Sequence, residues 1–205
     1  MDAATLPPQL RQQFPALASY VGLLANEGIA WGLIGPNEAA GDRLWERHVL
    51  NSLAIQELLP TGCQVVDVGS GAGLPGIPLA ITRPDLEMTL LDPKQRRVDF
   101  LALSLERLGL GDSVRVVRAR AEEHRETYSA VVSRALARFD RLLAWCWPLV
   151  APGGSLIALK GASAAEEVAA ASQALRKLGA TAQVRGLSVP GTAAYTWAVV
   201  VEKAG

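Results

Sequence analysis

Short β-branched and apolar runs alternate along this chain with longer segments whose apolar residues recur every three or four positions. The runs near Cys63–Val68, Leu86–Leu91, Ser113–Val117, Ala130–Ser133 and Ser155–Leu159 read as strands. Helical spacing falls near Gly76–Ile81, Gln95–Leu108, Phe139–Leu149 and Ala164–Leu178. This alternation predicts a mostly parallel sheet with helices on both faces. Ahead of it, Pro8–Ala30 reads as one amphipathic helix, with Leu10, Phe14, Leu17, Val21 and Leu24 near helical spacing. Gly32–Asp42 reads as a loop and Leu44–Leu58 as a second helix, bounded by Pro60. The end of the chain differs. Ala182–Leu187 and Tyr195–Val201 are both strand-like, with a loop holding Pro190 and Gly191 between them. No helix fits there, so the two should pair antiparallel. The expected fold is α/β and Rossmann-like: a seven-stranded, mostly parallel sheet with an antiparallel last strand and an N-terminal helical extension. Residues 1–60 form that extension and residues 61–205 the main domain, together one structural unit.

The chain has 205 residues, half of them hydrophobic, enough for one sizeable core. No apolar run reaches bilayer length, so no membrane partner is expected. Met1–Arg11 is polar and proline-containing, unlike a signal sequence. Cys63 and Cys146 form neither a metal-ligand pattern nor a disulfide framework, and both read as buried thiols. A cytoplasmic monomer without metal is the expectation. Net charge is zero but unevenly placed. Residues 1–93 hold four Lys/Arg against ten Asp/Glu, and residues 94–141 hold eleven against seven. That middle block is either a polyanion-facing surface or a set of solvated helix faces.

One strand-to-helix junction carries the candidate chemistry. Val65-Val66-Asp67-Val68-Gly69-Ser70-Gly71-Ala72-Gly73-Leu74-Pro75-Gly76 passes from an apolar strand, through an acid, into a glycine-rich turn. Glycines let the backbone approach a ligand closely, and the following helix aims backbone N–H groups at it. In α/β folds a nucleotide-like cofactor sits here. Gly71 to Gly76 alone fits the dinucleotide fingerprint G-x-G-x-x-G, and a tight turn with no ligand would use the same residues. Asp67 favours a different ligand, because a carboxylate is unwelcome beside a diphosphate. S-adenosylmethionine (SAM) carries no phosphate; it carries an ammonium and a sulfonium, and an acid suits both. The C-terminal hairpin agrees, since it belongs to the seven-stranded architecture of class I SAM-dependent methyltransferases. Asp92 ends the second strand about 20 residues past the turn, the offset of a carboxylate that takes a ribose diol. It also suits an N-cap for the helix beginning near Pro93. Asp67, Gly69, Gly71, Gly73 and Asp92 are therefore the expected cofactor contacts.

Five stretches together carry a family resemblance: Glu46-Arg47-His48-Val49-Leu50-Asn51-Ser52, Asp67 through Pro78, Leu90-Leu91-Asp92, Val132-Ser133-Arg134-Ala135, and Ala158-Leu159-Lys160-Gly161. Their order and spacing resemble the RsmG (GidB) family, bacterial methyltransferases acting on N7 of a guanine in 16S ribosomal RNA. The resemblance covers roughly residues 40 to 203. It implies SAM contacts at Gly69, Leu74, Ala121, Glu122 and Arg134, and 16S rRNA or the 30S subunit as partner. Two stretches depart from the family pattern. Asn51-Ser52 stands where many members have Asp-Ser, and Gly32-Leu33-Ile34-Gly35 where many have Asn-Leu-Thr. Both lie outside the cofactor motif and bear on RNA docking.

Glu122 follows a strand where a carboxylate can address the adenine edge; it equally suits a first-turn helix acid. Arg134 would repel the sulfonium, so it faces the methionine carboxylate or an RNA phosphate, or pairs with an acid such as Asp140. Arg47, His48, Arg134 and Lys160 are the candidate catalytic residues. Arg47, Lys94, Arg96, Arg97 and Lys160 are the expected RNA contacts, and Trp31 or Trp45 could meet a base. Guanine N7 carries a free lone pair at neutral pH, so its methylation needs no general base, only positioning roughly 3–3.5 Å from the methyl carbon. The rival readings are a methyltransferase for a small molecule or protein, an RNA- or nucleotide-binding module without chemistry, and an NAD enzyme.

Overall fold

A computed structural model describes residues 8–39, 43–189, 192 and 194–205. Residues 1–7, the end of the Gly32–Asp42 loop, and Pro190 and Gly191 lie outside the described residues. The strands are β1 (Gln64–Val68), β2 (Glu87–Leu91), β3 (Val114–Val117), β4 (Tyr128–Arg134), β5 (Val150–Lys160), β6 (Ala182–Ser188) and β7 (Tyr195–Glu202). They form one seven-stranded sheet in the order β3-β2-β1-β4-β5-β7-β6. β1 to β5 pair in parallel, and β7 runs antiparallel to both β5 and β6. The order reverses between β1 and β4, and sheets of this kind take ligands in the crevice at the carboxyl ends of the strands that flank such a switch point.

The helices are α1 (Pro8–Gln13), α2 (Pro15–Leu23), α3 (Asn51–Leu53), α4 (Gly76–Thr82), α5 (Gln95–Leu108), α6 (Phe139–Cys146), α7 (Ala164–Ala170) and α8 (Ser172–Lys177). Three segments expected as single helices are interrupted. Pro15 pushes Phe14 to φ −131°, ψ 71°, which separates α1 from α2. The chain then runs through a π-helical turn at Leu24–Gly28. A second π-helical segment, Leu44–Leu50, precedes α3 and carries Arg47 and His48. Ala171, at φ −86°, ψ 3°, divides α7 from α8.

Two apolar clusters lie on opposite faces of the sheet. Val65, Leu90, Val132 and Ile157 face α4 and α5, and Leu17, Tyr20, Trp45 and Val49 from the N-terminal helices join the same cluster. Val66, Val131 and Leu156 face α6 and α8 through Phe139, Leu142, Leu143 and Leu175. Tyr20 is fully buried, and its hydroxyl donates to the Ala72 carbonyl at 2.8 Å. The N-terminal helices are thereby tied to the glycine turn.

Gly76 shows how tightly α4 seats on the sheet. A Cβ there would stand 2.3 Å from Leu90 Cδ2 and 2.9 Å from Asp67 Oδ2. Overpacking of this kind costs about 1–3 kcal/mol. Gly76→Ala should therefore lower the unfolding free energy by that much and the denaturant midpoint with it, and an unchanged midpoint would show that α4 shifts freely.

Candidate active site

The glycine turn and the end of β2 meet at the crevice. Gly69 and Ser70 donate backbone N–H groups to the Leu91 carbonyl at 2.8 and 3.2 Å. Gly69 (φ +74°) and Gly73 (φ +97°) adopt backbone that L side chains rarely occupy. A Cβ on Gly69 would stand 2.4 Å from Leu136 Cδ1, and one on Gly73 would stand 2.4 Å from Ile77 Cδ1. Beside Gly71 the nearest such contact is the Gly69 carbonyl at 3.7 Å, so the turn is most open there. Leu74, like Ala72, is buried against the core.

Asp67 is wholly buried. Its Oδ2 accepts the Gly76 N–H at 3.0 Å, while its Oδ1 has no hydrogen-bond partner among the described residues. Burial pushes its carboxyl up to about 7, against the Gly76 bond, which lowers it. Register pairs Asp67 with Val132, two residues before Arg134, so both side chains leave the same face of the sheet. Arg134 is half-buried, and burial lowers its pKa. Its guanidinium donates to the His48 carbonyl at 3.3 Å and to His48 Nδ1. Among the described residues no carboxylate lies within 4 Å of it, and Asp140 pairs instead with Arg138 at 3.7 Å. A buried acid with one unpartnered oxygen and an arginine without a carboxylate in direct contact thus stand on neighbouring strands. A ligand bearing an ammonium beside a carboxylate would satisfy both.

Asp92 is also fully buried, and its oxygens are engaged. Oδ2 accepts Gly71 N–H and Arg97 Nη1, both at 3.1 Å, and Oδ1 accepts Lys94 N–H at 3.0 Å. The cap expected of Asp92 is not formed: Lys94 is the N-cap residue of α5 and the helix has no side-chain cap, while Asp92 closes the turn before it; a ribose diol would have to displace Arg97. On that basis Asp92→Ala should weaken SAM by about 1.5–3 kcal/mol, the worth of bonds to a charged acceptor, and Asp92→Asn by less. Normal calorimetric affinity in both variants would leave Asp92 as a brace for the glycine turn and the turn before α5 only. Ala121 is half-buried and Glu122 exposed, in the turn after β3.

A cavity of about 570 Å³ opens beside Arg134 at the ends of β4 and β5. Glu38, Arg47, His48, Asn51, Lys160 and Thr196 contribute to its wall. Lys160 departs from its expected role at phosphate. Its side chain is only 8% exposed, and Nζ donates to Glu167 Oε2 and the Ala137 carbonyl, both at 2.7 Å. Glu167 Oε2 also accepts Phe139 N–H at 2.9 Å, so this pair clamps the loop between β4 and α6. Arg97 likewise gives its charge to Asp92. Arg115 lies far from the crevice, with Glu126 in a second cavity at the amino ends of β1 to β3. The basic block is therefore not one surface. Lys94 and Arg96 remain exposed at the start of α5, and Arg47 is 62% exposed while paired with Glu38 at 3.2 Å. Trp45 is buried and so closed to a base, and Trp31 is half-buried and edge-on to Phe100. Burial raises both cysteine thiols, Cys146 to about 12, which leaves them inert. No group of three metal-ligating side chains is present among the described residues.

A family model described as rRNA small subunit methyltransferase G (GidB) matches residues 13–190. The chain belongs to that family. Proteins named Ribosomal RNA small subunit methyltransferase G from Salinispora arenicola and Streptomyces coelicolor are each 50% identical to it, over 192 and 189 residues. These matches cover 86% and 87% of this chain and 78% of each relative. A solved SAM-dependent methyltransferase from Aquifex aeolicus superposes with a TM-score of 0.59 at 17% identity, over 78% of this chain and 92% of that one. A precorrin-6y C5,15-methyltransferase from Geobacter metallireducens gives 0.57 at 14%, over 84% and 91%. Both share the fold alone. For a member of the methyltransferase G family, Glu38, Tyr20, Leu136 and Glu167 are the site-forming residues that sequence reasoning missed. Tyr20 and Leu136 act on the glycine turn from distant parts of the chain, and Glu38 and Glu167 meet partners seven to ten residues away across a change of element; no local pattern marks any of the four.

Proposed function

We propose that the protein transfers a methyl group from SAM to N7 of a guanine in 16S ribosomal RNA. The observation that carries this reading is that Asp67 and Arg134 leave the same face of the sheet from adjacent strands, with Arg134 in the wall of a cavity that has room for a base. The orphaned Asp67 Oδ1 would hold the ammonium of the methionine moiety, and the Arg134 guanidinium its carboxylate. Gly69, Gly71, Gly73 and Leu74 would form the floor, Asp92 the ribose contact, and Ala121 and Glu122 the adenine edge. When bound, SAM supplies an electrophilic methyl carbon on a sulfonium.

The protein's own contribution is to position the two reactants and exclude water. No side chain need remove a proton, because N7 offers an unprotonated lone pair. His48 fits that account: both ring nitrogens are engaged, which leaves neither free to act as a base. Lys160, bound to Glu167 and the Ala137 carbonyl, would hold the wall of the cavity. The test is tritiated SAM with 16S RNA and with 30S subunits, followed by nucleoside mass spectrometry. The reading requires 7-methylguanosine from 16S RNA in one of the two; label on protein, or on no RNA at all, would overturn it.

RNA would enter over the rim formed by Arg47, Lys94 and Arg96. Phosphate contacts release counterions, and each one lost should reduce the slope of log affinity against log salt by roughly 0.7–0.9. Replacing Lys94 and Arg96 by alanine should raise the KM for RNA and flatten its salt dependence while leaving SAM affinity intact. A wild-type salt slope in this double variant would place the RNA on another surface.

A further inference from the structure

We propose that Glu38 is a positioning residue for Arg134, acting through the His48 ring. The chain of contacts runs from the short turn Pro36–Ala39 to the end of β4. Glu38 Oε2 lies 3.0 Å from His48 Nε2, and His48 Nδ1 meets an Nη of Arg134. Arginine has donors only. Nδ1 must therefore be the accepting nitrogen, and the ring proton sits on Nε2, donated to Glu38. The opposite tautomer would aim an N–H at the guanidinium and push it off its place. Glu38 thus selects the tautomer that lets His48 receive Arg134. Glu38 is itself oriented by Arg47, whose Nη1 meets its other oxygen at 3.2 Å. The charged groups facing the ring are Glu38 and Arg134 from other elements and Arg47 from its own. Burial and the Arg134 charge hold the imidazole below its ordinary pKa, which keeps it neutral.

The consequence is functional because Arg134 has no carboxylate partner among the described residues, and the His48 carbonyl and Nδ1 are its two side-chain hydrogen-bond acceptors there. This step rests on the reading that Arg134 receives the methionine carboxylate of SAM.

Amide substitutions separate the two ends of the ring. His48→Asn sets a carbonyl oxygen near the place of Nδ1 and keeps an acceptor for Arg134. His48→Gln sets its amide near Nε2 and leaves Arg134 without that acceptor. Glu38→Gln keeps an acceptor for the Nε2 proton, and Glu38→Met removes it. The experiment is steady-state methyl transfer with the full-length variants, reading kcat and the KM for SAM and for RNA. His48→Gln and Glu38→Met should raise the KM for SAM about tenfold, with kcat less affected. His48→Asn and Glu38→Gln should stay within about threefold of wild type. Glu38→Met added to His48→Asn should change nothing further, since an amide has no tautomer to set. Equal impairment by Asn and Gln at position 48 would overturn the proposal. So would an undiminished effect of Glu38→Met in the His48→Asn background, because either result describes a merely structural contact. If His48→Gln raises the KM for RNA alone, the relay stands and the assignment of Arg134 to the methionine carboxylate fails.

Discussion

Replacing Arg134 by methionine should lower SAM affinity about a hundredfold while leaving the protein as stable as wild type or more so. Losing a charge-assisted contact with a carboxylate costs about 1.5–3 kcal/mol, and a tenfold change in affinity corresponds to about 1.4 kcal/mol. Stability should move the other way. The Arg134 charge is partly desolvated, and among the described residues no carboxylate lies within 4 Å to compensate it. Replacing a desolvated charge that no carboxylate contacts removes the cost of burying it. The lost bonds to His48 oppose this gain but involve a neutral ring and one carbonyl. Calorimetry with S-adenosylhomocysteine and a thermal melt on the same sample check both halves. A large fall in Tm with unchanged affinity would make Arg134 a structural residue.

Asp67 should give the ligand-free protein an unusual pH dependence. Its carboxyl is raised to about 7 in the folded state, against about 3.9 in an unfolded chain. Below the lower value both states hold the proton. Between the two values the folded state keeps a proton that the unfolded state has released, so stability falls as pH rises. The slope is at most about 1.4 kcal/mol per pH unit, and it levels off above about pH 7. Asp85 and Glu126 act in the opposite sense, because their bonds to Arg83 and Arg115 hold those carboxyls low and lose strength as they protonate in acid. The informative quantity is therefore the difference between wild type and Asp67→Asn across pH 4–8, by urea denaturation. Asp67→Asn should be the more stable protein at pH 8 and should bind SAM more weakly. A difference that does not change with pH would show that Asp67 keeps an ordinary pKa.

The sheet was legible because its strands are apolar runs closed by turn residues; six of the seven lie within two positions of their expected bounds, and β5 begins at Val150, five residues before the expected Ser155. The helix breaks were less so. Pro15 announces the interruption at Phe14, but nothing local announces Ala171 or the π-helical segments. Within the site, Asp67 and the glycines were legible because their roles depend on backbone geometry at a short spacing. The role of Lys160 was not. Its position at a strand end suits a phosphate ligand, and only the fold brings Glu167 to it. Gly69 gives a similar lesson. A side chain there was expected to obstruct a ligand, and the neighbour it would meet first is Leu136, which lies 67 residues later in sequence and reaches the turn through the loop after β4.

The account turns on Asp67 and Arg134 forming a receptor for the zwitterionic end of SAM. Proton release on binding tests this most directly. At pH 7 a carboxyl with a pKa of about 7 is half protonated, and an incoming ammonium should force it to ionise. Calorimetry of S-adenosylhomocysteine in buffers of different ionisation enthalpy should show wild type releasing about half a proton more than Asp67→Asn. Equal proton release by the two proteins, with both binding the ligand, would contradict the account.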